Sequence, residues 1–305
     1  MIQPAPPART LCLGEALVDL ICERPIERLA DADAFVPHFG GAVSNVAVVA
    51  ARHGAGVALA GGAGADSWGR WLRDRVVREG VDVELFELIE GLQTRLALVS
   101  IDARGEPAYE IYGEEIPTVK RALAGGVERA IRESAALFIS SNTLVGSEER
   151  AVTMRARELA LELDRPLIFD PNLRLHRWPS HADAAASAIA CVPGALLVRA
   201  NAGEAALITG ERDPERAARV LIDAGARLAV VTLGAEGALV RGELHGDVPG
   251  VPARVLSTVG AGDVMSGILL AKLASSGFEP PAVLSALSEA VEKSARACER
   301  WGALE

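Results

Sequence analysis

Short apolar runs alternate with amphipathic helical stretches along almost the whole of this 305-residue chain. The runs lie at residues 10–13, 56–60, 136–140, 166–169, 195–198 and 228–233. Helical patterns fill 44–53, 67–79, 119–133, 148–163, 182–191, 202–209 and 214–224. This alternation predicts a doubly wound, mostly parallel α/β sheet flanked by helices, because parallel neighbours need a crossover long enough to hold a helix. Ligands of such sheets bind at the carboxyl ends of the strands, so chemistry is expected in the loops that follow them. Two stretches break the rhythm. Residues 17–36 continue past the first run, and 94–113 read as a hairpin around Asp102-Ala103-Arg104-Gly105. Both are expected as strands outside the main sheet, forming a small β-sheet lid inserted into a single domain that spans 1–305. A third hairpin, 238–241 with 244–248, turns at Gly242-Glu243, and 280–300 reads as one long helix.

Composition removes several classes of function. A net charge of −10 argues against nucleic acid or an anionic membrane as partner. No run approaches about 20 apolar residues, and the proline-rich first ten residues have no apolar core of a signal peptide, so a cytoplasmic protein is expected. Cys12, Cys22, Cys191 and Cys298 lack metal or redox spacing and are expected as buried free thiols. The histidines show no metal spacing either, and Glu114-Glu115 reads as a solvated loop.

Thr258-Val259-Gly260-Ala261-Gly262-Asp263 opens into the apolar run 264–273. Small residues at a helix start leave backbone N–H groups free to hold an anion. An acid beside such a site is costly unless it takes a proton from a hydroxyl that attacks a phosphate. Read alone, the segment is either that or a tight turn with an Asp N-cap. Gly40-Gly41-Ala42-Val43-Ser44-Asn45 allows close approach of a polyhydroxylated ligand to the backbone, or is a loop with a Ser44 N-cap. Asp19 follows the first strand and either accepts sugar hydroxyls or is simply exposed. Asp170-Pro171-Asn172-Leu173-Arg174 places a stiffened polar loop at a strand's carboxyl end. Asn201-Ala202-Gly203-Glu204 suits either the water shell of a magnesium ion or a capping box. Thr232-Leu233-Gly234-Ala235-Glu236-Gly237 suits a nucleotide lying on the backbone, or a plain turn. No P-loop or dinucleotide fingerprint is present.

Taken in this order, the set resembles the ribokinase-like (PfkB) carbohydrate kinases, over residues 11–303. The loop Asp170-Pro171-Asn172-x-Arg174 with Trp178 looks most like the fructokinase and 2-keto-3-deoxygluconate kinase branch. The resemblance implies ATP as donor, magnesium as cofactor and a small sugar as acceptor. It implies Asp263 as the base and Gly260, Ala261 and Gly262 as the anion hole. Asp19, Gly40, Gly41, Asn45 and Arg174 become the sugar set. Thr232, Gly234 and Gly237 become the nucleotide shelf, with Asn201 and Glu204 positioning phosphate and magnesium, Glu204 through water. Dimerisation through the lid's open edges is an expectation of the same kind.

Departures from the family pattern carry their own expectations. The usual Asp six residues before the base is Ser257, and the second Thr is Val259. The chain also stops shortly after Gly302-Ala303, where relatives close a monovalent-cation loop, so weak or absent potassium activation is expected. The segment 110–117 lacks the Ala-Asp pair of fructokinase-like relatives, and Val291, Glu292 and Lys293 replace small residues beside the adenine. Two further readings stay open: a nucleoside or aminoimidazole riboside kinase, using Phe35, Phe39 or Tyr112 as an aromatic surface, and a sugar-binding protein without catalysis.

Overall fold

The computed structural model describes residues 9–113 and 117–304. Glu114-Glu115, most of the proline-rich start and part of the 110–117 segment lie outside the described residues. The chain opens with β1 (Thr10–Leu13), β2 (Leu17–Ile21), β3 (Val36–Gly40), α1 (Ala42–Arg52), β4 (Val57–Gly64), α2 (Ser67–Arg78) and β5 (Phe86–Ile89). It continues through β6 (Leu96–Ile101), β7 (Pro107–Tyr112), α3 (Thr118–Ala122), α4 (Val127–Arg132), β8 (Ala136–Ser140), α5 (Ser147–Glu162), β9 (Leu167–Asp170) and α6 (His181–Ile189). It closes with β10 (Leu197–Asn201), α7 (Ala202–Thr209), α8 (Pro214–Asp223), β11 (Leu228–Thr232), β12 (Gly237–Gly242), β13 (Gly246–Pro249), α9 (Ala261–Ser275) and α10 (Pro281–Ala297).

Nine strands form the main sheet in the order β13-β12-β11-β10-β9-β8-β1-β4-β5. All pairs from β5 to β11 are parallel, and β12 and β13 add an antiparallel edge. Alternate strand residues enter different cores, as a period of two requires. Cys12, Leu59 and Phe138 pack with α1, α9 and α10, whereas Leu11, Leu13, Leu137 and Ile139 pack with α5 and α6. Both faces are therefore covered, which is why the strands read as continuous apolar runs rather than alternating ones. A second sheet, ordered β3-β2-β6-β7, stands apart and has its own apolar cluster around Leu17, Ile21, Val99 and Ile101.

The expected alternation is present, with local corrections. The 119–133 helix divides into α3 and α4, because Gly126 between them takes φ +134°. The 56–60 strand extends to Gly64, so the glycines at 61, 62 and 64 lie in a buried strand. In the 17–36 stretch only Leu17–Ile21 is a strand, β2, and β3 begins where the stretch ends and carries Gly40 at its own end. The short strand β5 had no counterpart in the sequence reading.

Candidate active site

The amino ends of α1 and α9 meet over the carboxyl ends of the central strands. Helix α9 is apolar almost all round and buried from Asp263 to Leu273 apart from Lys272, which fits a helix enclosed by others. Its N-cap is Gly260, at φ +74°, and no side chain caps it. The first amides of a helix have no partners within it; here Ala261 N donates to the Thr258 carbonyl at 3.3 Å, and the helix dipole favours an anion at this end.

Asp263 is not the N-cap that its sequence context also allowed. It lies inside the first turn and is only 6% exposed. Asn45 Nδ2 donates to its Oδ2 at 2.8 Å, and Asn172 Nδ2 donates to its Oδ1 at 3.0 Å. Burial pushes its pKa up to about 6, against the pull of the Asn45 hydrogen bond and of the Arg174 charge. The carboxyl is thus oriented on both oxygens and titrates near neutrality, as a general base requires.

Ser44 is likewise not an N-cap: Gly41 is, and the Ser44 hydroxyl donates to the carbonyls of Gly40 and Gly41. Asn45 then points inward, and its Oδ1 is buried without a hydrogen-bond partner. An orphaned buried acceptor in a cavity wall fits a ligand hydroxyl. Asp19, from β2, is buried against Gly40, where a Cβ would clash with its carboxylate. Burial raises its pKa to about 7, opposed by Arg174 and assisted by Asp263 and Glu15. Arg174 lies 5.4 Å from the centre of the Tyr109 ring. Burial works against its charge, but Tyr109, Asp263, Glu204 and Asp19 together hold its pKa above the ordinary value.

Asp19, Gly41, Asn45, Arg174, Gly260 and Asp263 line one cavity. Thr232, Gly234, Gly237, Asn201 and Glu204 do not; they lie beyond it, at and after the ends of β10 and β11. Asn201 and Glu204 form the capping box that the sequence allowed. Glu204 Oε2 accepts from Asn201 N at 3.0 Å and its Oε1 accepts from Leu173 N at 2.8 Å, which ties β10 to the Asp170–Arg174 loop. Gly237, at φ +105°, sits tightly against the backbone of β13, whereas Gly234 faces open space. Of the aromatic residues weighed for a base, Phe39 is buried 6.5 Å from Trp71 and Tyr112 is 53% exposed; the cavity aromatic is Tyr109.

Among the residues not assigned a role, three bear directly on Asp263 or the start of α9. Asn172, at φ +40°, holds the second oxygen of Asp263; its loop stood out, but the contact did not. Asp170 and Arg199 are buried beside α9. The signal for Arg199 was available: it is a charge inside the apolar strand Leu197-Val198-Arg199-Ala200.

Ser257 is fully buried where the resemblance leads one to expect Asp. Its Oγ accepts from Val259 N at 3.1 Å, and the amides of Leu256 and Ser257 both donate to the Cys298 carbonyl. Val259 packs into the apolar cluster of the small sheet. Thr258 N donates to the Gly105 carbonyl in the β6–β7 turn at 2.8 Å, so that turn holds the loop before α9. Cys12, Cys22 and Cys191 are buried free thiols, and Cys298 is a half-buried one. Among the described residues no cluster of three metal-ligating side chains occurs, and no helix is long and apolar enough to cross a membrane.

Comparison with known proteins agrees with this geometry. The model of the pfkB family carbohydrate kinases matches residues 8–303. Fructokinase-1 of Oryza sativa is 32% identical over 262 residues, 85% of this chain and 81% of its own length. A Vibrio cholerae fructokinase structure with fructose, ADP and potassium ion bound superposes with a TM-score of 0.82 at 26% identity, covering 99% of this chain and 96% of that one. The aminoimidazole riboside kinase of Salmonella enterica shares the fold, with a TM-score of 0.78 at 24% identity over 97% and 95% of the two chains. The chain belongs to the pfkB family of carbohydrate kinases.

Proposed function

We propose that this pfkB-family kinase transfers the γ-phosphoryl group of ATP to a primary hydroxyl of a small sugar of the fructose or 2-keto-3-deoxygluconate type. The observation that carries the reading is Asp263: a buried carboxyl, fixed by Asn45 and Asn172, at the uncapped start of α9 and in one cavity with Asp19 and Arg174. Asp19 and the free Oδ1 of Asn45 accept sugar hydroxyls, and Arg174 donates to a sugar or carboxylate oxygen. Asp263 takes the proton of the primary hydroxyl. The new bond runs from that oxygen to the γ-phosphorus, the bond to the β-phosphate oxygen breaks, and ADP leaves with the electron pair. The first-turn amides of Gly260, Ala261 and Gly262 hold the equatorial oxygens as charge moves across them. Thr232 and Gly234 border the donor.

Magnesium fits the residues present in one specific way. Glu204 already accepts one backbone N–H on each oxygen and retains lone pairs for water, and no protein cage of carboxylates exists among the described residues. Glu204 with Asn201 would hold an ion that keeps most of its waters, as magnesium does. Bound there with the donor, it neutralises phosphate charge.

The test is ATP consumption with magnesium over a panel of fructose, 2-keto-3-deoxygluconate, other hexoses, sugar acids and nucleosides, with Asp263→Asn in parallel. Turnover of a keto sugar that collapses in the variant is expected. Turnover confined to nucleosides, or a variant as active as the parent, would overturn the reading.

A further inference from the structure

Arg199 has no part in that mechanism, yet its placement is expensive. It sits in β10, between apolar neighbours, and is 7% exposed. Taking a guanidinium out of water costs several kcal/mol unless its donors are well matched. Here they are not: Nη1 lies 3.4 Å from Asp170 Oδ2, Nη2 donates to Thr232 Oγ1 at 3.0 Å, and Nε is buried with no acceptor. Asp170 is shared as well, since Ser266 of α9 donates to the same Oδ2 at 2.5 Å. Apolar side chains of this size would hold three strand ends together at lower cost.

The guanidinium also lies directly against the first turn of α9. A Cβ built on Gly262 would stand 2.6 Å from Nη1 and 3.1 Å from Nη2. No P-loop lysine exists in this chain to supply charge to a donor's phosphates. We propose that Arg199 is a positioning residue for phosphoryl transfer: it holds the first turn of α9 and the Thr232 hydroxyl in one array and adds a fixed positive charge on the side of Asp263 away from the sugar set. This rests on the kinase reading above. It gives Gly262 a specific reason to be glycine, because any larger residue displaces the guanidinium. It also gives a reason for a poorly matched cation to be retained, since its charge then acts on the donor's phosphates through the first turn of α9 and the Thr232 hydroxyl. Asp263 faces Arg174, Arg199, Asp170 and Asp19, with Asn45 and Asn172 as its hydrogen-bond donors, and Arg199 is one of the two cations in this set.

The experiment compares the parent enzyme with Arg199→Lys, Arg199→Met and Arg199→Gln, using ATP, magnesium and the sugar found by the panel. Arg199→Met is expected to lower kcat about 100-fold or more, the scale of losing a preorganised electrostatic contact, with the sugar KM within about threefold. Arg199→Lys is expected to recover at least about tenfold of that loss. The acid limb of kcat is expected to move to higher pH in Arg199→Met and to stay in place in Arg199→Lys, because only the former removes a cation near Asp263. A purely structural role would instead lower Tm in both variants with kcat and the acid limb unmoved, and that result overturns the proposal. Should Arg199→Met fail to fold, Arg199→Gln decides: kcat falls and the acid limb moves to higher pH if the proposal holds, and unchanged kcat refutes it. Parent enzyme that turns over no acceptor would refute the kinase reading itself, and the proposal with it; an active parent with indifferent variants refutes the proposal alone.

Discussion

On its cavity side, the first turn of α9 meets a buried carboxylate gripped by two side-chain amides. On the side turned toward the end of α10, its packing is mostly neutral: Ser257 bonded to Val259 N, two amides on the Cys298 carbonyl, and Ala303 against Gly260, with one carboxylate, Glu106, accepting from Thr258 Oγ1 at 3.4 Å. The same turn therefore has one face with buried, hydrogen-bonded charge and another packed mainly by neutral groups. Charge kept at a burial cost marks the face that does chemistry, whereas neutral hydrogen bonds and packing mark the face that only holds shape.

The contrast breaks most visibly at Asp263. Asp263→Asn keeps size and burial but removes the base, and kcat is expected to fall about 1,000-fold with the sugar KM little changed, read by steady-state kinetics. Asn45→Ala and Asn172→Ala come next, with kcat down about 10- to 100-fold each through misalignment of the carboxylate. Asn45→Ala should also move the acid limb of kcat upward from its position in the parent, because the amide hydrogen bond is one of the forces lowering the Asp263 pKa. A limb that stays put would mean that Asp263 is not the group being titrated.

Asp19 sharpens the comparison through stability. Its folded pKa, about 7, is raised from 3.8, so the protonated form is the one that the fold favours. The stability it contributes is present in full below pH 4 and is lost as pH rises through about 7. Asp19→Asn should therefore gain about 2–4 °C in Tm over the parent at pH 8 and little at pH 4.5, measured by thermal melts. Equal effects at both values would deny the burial cost. The smallest effect belongs to the neutral face. Potassium in place of a non-binding cation is expected to change kcat less than about twofold, and Ser257→Asp is expected to increase the response to it. Strong activation of the parent would show that the back of the turn is not neutral in function.

How far the sequence was legible follows the same division. Apolar runs buried on both faces announced the parallel sheet, and small residues before a long apolar run announced the helix start at Gly260. Local signals failed where structure depends on distant partners. Val36-Pro37-His38-Phe39-Gly40 became a strand because Leu17–Ile21 offered it an edge, and Phe86–Ile89 because β4 did. Asn172 could be seen as polar and well placed, but its target lies 91 residues away. Arg199 carried a readable oddity, a charge in an apolar strand, but its meaning depends on α9 and β11 lying beside it.

The bond from Thr258 N to the Gly105 carbonyl, with Val259 packed among Leu17, Ile21 and Val99, makes the loop before α9 part of the small sheet as much as of the large one. A displacement of that sheet must either carry residues 258–259 with it or break those contacts. Occupancy of the cavity and the shape of the anion hole are then thermodynamically linked. Sugar and ADP are therefore expected to change each other's affinity by an identical factor, which titrations of sugar with and without ADP measure from either end.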